Sequence, residues 1–214
     1  VLAALFERER SGRGQAVEPG GEVLTARVVL FGFADCWREE VRRALLPALE
    51  GGLAIRERGA LRVRLIPREG RWWRAGRVPV PENPERVRLI LTTPLCLRAA
   101  GAVKTDLGGL AMALLDRVSG LARWQDTRLE ADWSAWRDLS RSLAFERVEL
   151  RPFAWTRRST RQPGRVIPMH GFLGGFDVVR PPPALLPLLA LGELGHVGAH
   201  PTLGLGRYRL VVYP

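Results

Sequence analysis

From about residue 86 onward, hydrophobic and polar positions repeat with the periods of strands and helices. Alternating positions predict strands, and apolar residues three or four positions apart, such as Leu107, Leu110 and Leu114, predict one face of a helix. The predicted elements are a strand over 86–97, a helix over 107–121, a strand over 145–155, its hairpin partner over 166–179, a helix over 185–194 and a last strand over 208–213. A polar, tryptophan-bearing segment over 126–141 separates the first helix from the second strand. This βαββαβ order is that of a ferredoxin-like unit in the α+β class.

The front of the chain predicts only part of a second such unit. Its pattern gives a strand over 22–33, a helix over 39–49 and a strand over 60–66. That β, α, β order is the second half of a ferredoxin-like fold. The chain begins at Val1 with an apolar run that has no obvious packing partner. We therefore expect tandem ferredoxin-like, RRM-like domains, with the leading βαβ half of the first one absent.

The expected organisation is a partial N-terminal domain over 1–66, a linker over 67–84 and a C-terminal domain over 85–214. The linker is punctuated by prolines and carries the run Arg71-Trp72-Trp73-Arg74 at its centre. Such tryptophans can stack on unpaired bases, or they can cover the core between two domains. The sequence leaves both interpretations open.

The net charge of the chain is +11 and its pI is about 11.3, and Lys104 is the only lysine. The arginine fork suits phosphate groups and stacks on bases, so this surplus favours a nucleic acid as partner. A GC-rich coding sequence would explain arginine in place of lysine, but it would not explain the surplus of positive charge.

Carboxylates and cysteines exclude several other classes. Four acids, Asp126, Glu130, Asp132 and Asp138, share one polar segment that contains no histidine, so we expect no two-metal nuclease site, no other metal and no cofactor. Cys36 and Cys96 form no Cys-x-x-Cys motif, and a reduced, cytoplasmic setting is the simpler expectation. No apolar run approaches the length of a membrane span.

A glycine-rich loop over 196–206 precedes the last predicted strand. It reads His196-Val197-Gly198, five residues, then Gly204-Leu205-Gly206. Glycine accepts positive φ and lets one backbone approach another, so the loop can lie against a phosphodiester chain. The alternative is that these glycines only make tight turns within a small α+β domain.

The densest polar cluster follows the third predicted strand and contains Arg157, Arg158, Ser159, Arg161 and Gln162. It mixes arginine with hydroxyl and amide side chains and includes no acid. This mixture suits a grip on the phosphates and base edges of an RNA stem. A solvated run of charge is the structural alternative.

The order of these features resembles the RAMP superfamily of CRISPR-associated proteins. Members carry a loop of the pattern G-h-G, five residues, G-h-G between the last helix and the last strand of a ferredoxin-like domain. Here Gly204, Leu205 and Gly206 match the second half, whereas His196 stands where the first glycine is expected. Within the superfamily the chain is most similar to the endoribonuclease that processes precursor CRISPR RNA. The likeness covers 85–214 well and 1–66 more loosely.

This resemblance implies metal-independent cleavage of a CRISPR repeat hairpin at its 3′ base. The adjacent 2′-hydroxyl attacks, which gives a 2′,3′-cyclic phosphate and a 5′-hydroxyl. The expected partners are repeat RNA, the mature guide RNA and other subunits of a CRISPR effector complex. Two alternatives stay open: a non-catalytic RAMP subunit that binds and scaffolds the guide RNA, and an RNA-binding protein outside CRISPR systems.

Proton transfer in such a reaction suits histidine, and the chain has three histidines. We expect His170 and His196 as catalytic candidates. In many members of the resembled family the general base is a histidine of the N-terminal domain, which can lie outside this sequence. The candidates for RNA binding are the arginine cluster named above and five residues of the loop and its end, Gly198, His200, Gly204, Gly206 and Arg207.

Overall fold

The computed structural model describes residues 3–8, 24–30, 32–50, 53–55, 59–61, 83–99, 102–104, 107–158, 162 and 164–214. The strands are β1 (Ala3–Arg8), β2 (Leu24–Val29), β3 (Leu53–Ile55), β4 (Gly59–Leu61), β5 (Arg86–Leu95), β6 (Leu97–Ala99), β7 (Ala102–Lys104), β8 (Ala144–Arg158), β9 (Val166–Val179) and β10 (Tyr208–Tyr213). The α-helices are α1 (Arg38–Glu50), α2 (Leu110–Arg123), α3 (Trp133–Ser142) and α4 (Leu185–Gly195), and two 3₁₀ helices cover Gly32–Trp37 and Pro201–Leu203.

The C-terminal half is built on one antiparallel sheet of four strands in the order β10-β5-β9-β8. The first and last strands of the βαββαβ unit are therefore neighbours, and β9 lies between β5 and β8. This order confirms the predicted ferredoxin-like topology and the α+β class. The boundaries of β9 and β10 agree with the strands predicted over 166–179 and 208–213.

One face of this sheet packs against α2 and α4 and forms the core. Alternate residues of β5 point into it, and Val87 and Leu89 are fully buried. Tyr208 of β10 is also buried, and its hydroxyl donates to the Leu189 carbonyl of α4 at 2.5 Å. Burial raises the pKa of the Tyr208 hydroxyl well above its ordinary value. Strand and helix are thus joined by a polar bond inside the apolar layer.

Helix α3 was not predicted, because the segment 126–141 is rich in polar residues. Asp132 begins the helix, since its Oδ1 accepts from the backbone of Ser134 at 2.9 Å and of Ala135 at 3.1 Å. These bonds, with one from the Ser134 hydroxyl as the largest contribution, lower the pKa of Asp132. At least one of the clustered acids therefore has a capping role.

The front of the chain contains two strand pairs and a helix within its described residues. The apolar run near the start is strand β1, which pairs with β2 in register from Ala3 opposite Val29 to Arg8 opposite Leu24. The expectation that this run lacks a partner is therefore wrong. The predicted strand over 60–66 corresponds to β4 up to Leu61, and β4 pairs with β3, a strand that was not predicted. Residues 62–82, including the Arg71-Trp72-Trp73-Arg74 run and nearly all of the expected linker, lie outside the described residues.

None of the helices within the described part of the chain is long and apolar enough to cross a membrane.

Candidate nucleic-acid interface

The glycine-rich loop is held at the end of β5 by backbone hydrogen bonds. Its own ends meet where Val197 N donates to Gly206 O at 3.0 Å. Gly206 N donates to Pro94 O at 2.9 Å, and Ala199 N donates to Cys96 O at 2.8 Å. Each of these bonds joins the loop either to itself or to the segment just after β5. The loop is therefore fixed in place by the core sheet.

Two of the loop glycines are required by close contacts within the protein. Gly206 has φ 73°, and a methyl group there would overlap the Val197 carbonyl oxygen. Gly198 has φ 84°, and a methyl group there would lie 2.5 Å from the Cys96 carbonyl oxygen. Protein backbone therefore occupies the space that a side chain would need at both positions, which is sufficient reason for glycine there, and contact of Gly198 and Gly206 with RNA stays a prediction. For Gly204, whose φ is 80°, an RNA contact stays a prediction.

His196 lies inside the loop. Its side chain is 2% exposed, and its Nδ1 lies 3.0 Å from the Leu205 carbonyl oxygen in a hydrogen bond that spans the loop. Its φ of 66° is a conformation that favours glycine, which agrees with the glycine expected at this position of the motif. A scissile phosphate in solvent cannot reach a buried imidazole, so the structure argues against the catalytic role expected for His196. The residue closes the loop instead.

His200 lies within the loop and Arg207 directly follows it. His200 is half-buried, has φ 62° and precedes the 3₁₀ turn, in which Leu203 N donates to the His200 carbonyl at 2.9 Å. The Arg207 carbonyl accepts from Thr92 N at 2.9 Å and Thr93 N at 3.2 Å. Arg207 N donates to the Thr93 hydroxyl at 2.9 Å. Their backbones are thus fixed, and their roles in RNA binding stay predictions.

An arginine from the neighbouring helix positions the start of the loop. Arg117 of α2 donates through Nε to the carbonyl of Gly195, the last residue of α4, at 2.7 Å. A cation at a helix C-terminus is favourable because the free carbonyls there carry partial negative charge. Burial lowers the pKa of Arg117, although a guanidinium remains protonated at neutral pH.

The β8–β9 hairpin extends beyond the rest of the sheet. β8 and β9 pair from Ala144 opposite Val179 to Arg158 opposite Val166. β5 pairs with β9 only between Phe172 and Val179. In the part of the chain that the structure describes, the outer part of the hairpin, residues 153–158 and 166–171, therefore has no third strand paired with it. We call it the projecting hairpin.

Most of the predicted arginine cluster belongs to the projecting hairpin and its turn. Arg157 is exposed and lies opposite Ile167. Arg158 ends β8, but its side chain lies outside the described residues, as do Ser159 and Arg161. Gln162 has a bond within the turn, because its side-chain oxygen accepts from Arg165 at 2.5 Å. The structure adds Arg165 to the candidates for RNA binding. The sequence alone could have indicated it, because Arg165 follows the predicted arginine cluster by only three residues.

His170 lies on β9 near the base of the projecting hairpin, is exposed and pairs with Ala154. The next residue, Gly171, lies against the end of β5: a methyl group there would be 2.9 Å from the Leu95 carbonyl oxygen and 3.0 Å from Pro94 Cβ. The glycine-rich loop is bonded to this same end of β5. The segment that carries His170 and the glycine-rich loop therefore both lie beside the same end of β5.

The sheet face opposite the helices carries an ion-pair network that sequence reasoning missed. Arg88 of β5 donates to Asp177 of β9 at 2.8 Å and to Glu149 of β8 at 2.8 Å. Asp177 is fully buried, and Arg147 Nε lies 3.8 Å from its second oxygen. The bond to Asp177 is the largest cause of the raised pKa of Arg88. The only signal in the sequence is an aspartate within the apolar end of a predicted strand.

Comparisons with known proteins agree on one family. The family model described as CRISPR-associated endoribonuclease Cas6 matches residues 89–208, which is more than half of the chain. No curated protein matches the chain by sequence.

Solved structures of low sequence identity share the fold. The Cas6 (TTHB231) product complex, a protein from Thermus thermophilus, is 19% identical with a TM-score of 0.63, and the match covers 98% of this chain and 82% of that one. The Cas6 (TTHA0078) product complex is 21% identical with a TM-score of 0.59, and again 98% of this chain and 82% of that one are covered. The family match includes most of the four-stranded sheet, both strands of the projecting hairpin and the glycine-rich loop. On this evidence, the chain belongs to the family of CRISPR-associated endoribonucleases Cas6.

Proposed function

We propose that this protein binds CRISPR repeat RNA and cleaves it without a metal ion to produce guide RNA. The observation that carries the proposal is the charge of the hairpin: the 26 residues 151–176 contain five arginines and no carboxylate. A projecting β-ribbon with this charge can contact phosphates over its length. The Cas6 proteins of similar fold are described as product and substrate mimic complexes, which supports an RNA partner. Other CRISPR proteins are proposed as further partners.

The proposed reaction is an internal transfer at the scissile phosphate. The 2′-oxygen forms a bond to phosphorus while the bond from phosphorus to the 5′-oxygen breaks. A base removes the proton of the 2′-hydroxyl, an acid protonates the leaving 5′-oxygen, and arginine stabilises the charge that develops on the phosphate. The products are a 2′,3′-cyclic phosphate and a 5′-hydroxyl.

We assign His170 to one of the two proton transfers. It is the exposed histidine of the three, and its neighbour Gly171 lies beside the end of β5 to which the glycine-rich loop is bonded. An imidazole titrates close to neutral pH, so it can give or take a proton there. Arg151, Arg157 and Arg165 are exposed arginines of the same hairpin and its turn.

The test is cleavage of the cognate repeat RNA by the full-length protein in the presence of EDTA. We expect one cut at the 3′ base of the hairpin, with a 5′-hydroxyl that polynucleotide kinase labels without prior phosphatase treatment. Cleavage that stops in EDTA and returns with Mg²⁺ would contradict metal independence. A 5′-phosphate on the product would contradict attack by the 2′-hydroxyl.

One observation favours a second candidate, a subunit that binds and scaffolds guide RNA without cutting it. Of the three histidines, His196 is buried and His200 is half-buried, which leaves His170 as the only exposed imidazole for two proton transfers. Single-turnover cleavage with protein in excess separates the candidates. A scaffold subunit would bind the repeat RNA and leave it intact under these conditions.

A further inference from the structure

An aromatic pair lies on one face of the projecting hairpin. Phe153 and Trp155 are two positions apart on β8, so both side chains point to the same face of the strand. Their ring centroids are 5.5 Å apart with an interplanar angle of 37°. Across the hairpin, Trp155 is paired with Met169, which is 5% exposed. Cross-strand contact with a buried neighbour fixes one side of the indole.

The outer side of this pair is open to solvent. Phe153 is 43% exposed and Trp155 is half-buried. Neither ring belongs to the hydrophobic core of the described residues or to the partly buried side chains that pack against it. Exposed apolar surface of this kind indicates a binding site.

Arginines stand at both ends of the pair. Arg151 and Arg157 share the face of Phe153 and Trp155, because all four alternate along β8, and both arginines are exposed. The side chains on this face recur about every 6.8 Å. No carboxylate lies between residues 151 and 176, so nothing in this segment repels a polyanion. A stripe of cation, ring, ring and cation fits a strand of nucleotides.

We propose that this face, Arg151, Phe153, Trp155 and Arg157, is a stacking platform for unpaired nucleotides that adjoin the stem of the repeat RNA. Aromatic rings stack on the faces of unpaired bases, which a paired stem does not present, whereas arginine contacts phosphate in either form. A protein partner would need both acids for the two arginines and apolar side chains for the two rings, whereas RNA supplies negative charge and flat faces in the same nucleotide. The proposal rests on the proposed function and adds a single-stranded subsite to it.

The test compares two RNA probes on two variants of the full-length protein. One probe is the repeat stem-loop with its single-stranded flanks, and the other is the same stem-loop trimmed to a flush end. The variant Phe153→Leu/Trp155→Leu keeps apolar side chains but removes the rings. The matched control is Trp124→Ala, an exposed tryptophan at the end of α2 that is 66% exposed.

We expect the wild type and Trp124→Ala to bind the flanked probe more tightly than the trimmed probe. The leucine variant should lose about tenfold in affinity for the flanked probe and little for the trimmed one, since stacking on one base changes binding by roughly 5- to 100-fold. Circular dichroism and a thermal melt check that the variant folds. The single variants Phe153→Leu and Trp155→Leu are used if the double variant unfolds.

A second measurement does not depend on any variant. The fluorescent base 2-aminopurine is placed at successive flank positions and titrated with wild-type protein. We expect quenching at one or two adjacent positions, because stacking on an aromatic ring quenches this base.

Three outcomes would overturn the platform. Equal affinity of the wild type for the two probes shows no single-stranded subsite. Equal loss on both probes shows that the rings only support the hairpin that binds the stem, and loss of a protein assembly without any change in RNA affinity shows a protein interface. Failure of the proposed function is distinct, because the wild type would then bind neither probe.

Discussion

At the scale of single residues, two glycines with similar φ values distinguish two reasons for glycine. One reason is the backbone strain that a positive φ causes in other residues, and the other is steric overlap of a side chain with a neighbouring atom. Gly206 and Gly164 have φ values of 73° and 82°. A methyl group would overlap the Val197 carbonyl at Gly206 but would meet nothing within 4 Å at Gly164. We expect Gly164→Ala to lower the free energy of unfolding by about 1 kcal/mol through backbone strain. Gly206→Ala should lower it by about 3 kcal/mol, because the carbonyl must also move.

Urea unfolding of the two variants measures this difference. Equal effects would show that the loop yields to a methyl group without cost, and that the close approach to Val197 is not what selects glycine. Because Gly206 N also donates to Pro94, we expect Gly206→Ala to weaken RNA binding through the loop and not through a lost phosphate contact.

The two candidate histidines should also respond in opposite ways. His196→Ala removes a buried ring and leaves the Leu205 carbonyl without its imidazole partner, which should lower the free energy of unfolding by about 1–3 kcal/mol. His170→Ala removes an exposed side chain and should leave stability nearly unchanged. Under the proposed function, however, it should slow cleavage by about 10²- to 10⁴-fold while binding survives.

Thermal melts and single-turnover rates on the same preparations test this pair. Normal cleavage by His170→Ala, at wild-type RNA affinity, would remove His170 from the mechanism. Slow cleavage by a fully stable His196→Ala would restore the role that its burial argues against.

At the scale of secondary-structure elements, the Arg88 network connects the three strands β5, β9 and β8. Arg88→Ala leaves the fully buried Asp177 with only the distant Arg147, and should lower the free energy of unfolding by about 3 kcal/mol. Glu149→Ala removes a 70% exposed carboxylate from the same guanidinium and should change it by less than about 1 kcal/mol. Chemical denaturation of Arg88→Ala and Glu149→Ala tests these two values, and the same measurement on Asp177→Ala and Arg88→Ala/Asp177→Ala gives the coupling between Arg88 and Asp177. A double variant as unstable as the sum of the single ones would show that the pair is not coupled.

The elements were predicted where one physical pattern dominates. The boundaries predicted for β9 and β10 agree with the structure, because each strand is a run rich in apolar residues that lies between glycine- and proline-containing turns. Helix α3 was missed because its polar face outweighs its few buried residues, and its start is determined by a capping bond at Asp132. Strand β3 is three residues long, too short to show a period.

The site was predicted less completely than the elements, for a related reason. The arginines near the hairpin turn are visible as a local excess of charge. The burial of His196 depends on Leu205, nine residues away, and the Arg88–Asp177 pair joins residues 89 positions apart. Contacts of this kind follow from the register of the sheet, which hydrophobic periodicity alone does not specify.

The hairpin as an element makes its own prediction about charge. Arg157→Ala should weaken binding of repeat RNA. It should also make the slope of log K against log salt less negative by roughly 0.7 to 0.9, which is the contribution of one phosphate contact. Arg137→Ala is the matched control, since Arg137 is exposed on α3, away from the hairpin. Equal effects of the two variants would mean that RNA responds to the net charge of the protein and not to the hairpin.

At the scale of the whole molecule, the charges that give the net charge of +11 are unevenly distributed along the chain. The segment 151–176 alone carries five arginines without any acid, whereas Arg88 and Arg147 are engaged with carboxylates on the opposite sheet face from the helices. The glycine-rich loop contributes a fixed backbone surface and little charge. The hairpin should therefore contribute a much larger share of the affinity for RNA than its share of the chain length.

If each of the five hairpin arginines neutralises one phosphate, log K should fall with log salt with a slope of about −4, since each contact contributes roughly −0.7 to −0.9. Between about 50 and 200 mM salt the affinity should then fall by about two orders of magnitude. The variant Arg157→Ala/Arg158→Ala/Arg161→Ala should retain its fold by circular dichroism, because the sequence places the three arginines in a polar cluster outside the predicted hydrophobic pattern, and its slope should approach −2. A slope near zero in the wild type would remove the electrostatic basis of the proposed RNA binding, whereas a steep slope that survives in the triple variant would place the phosphate contacts outside the hairpin.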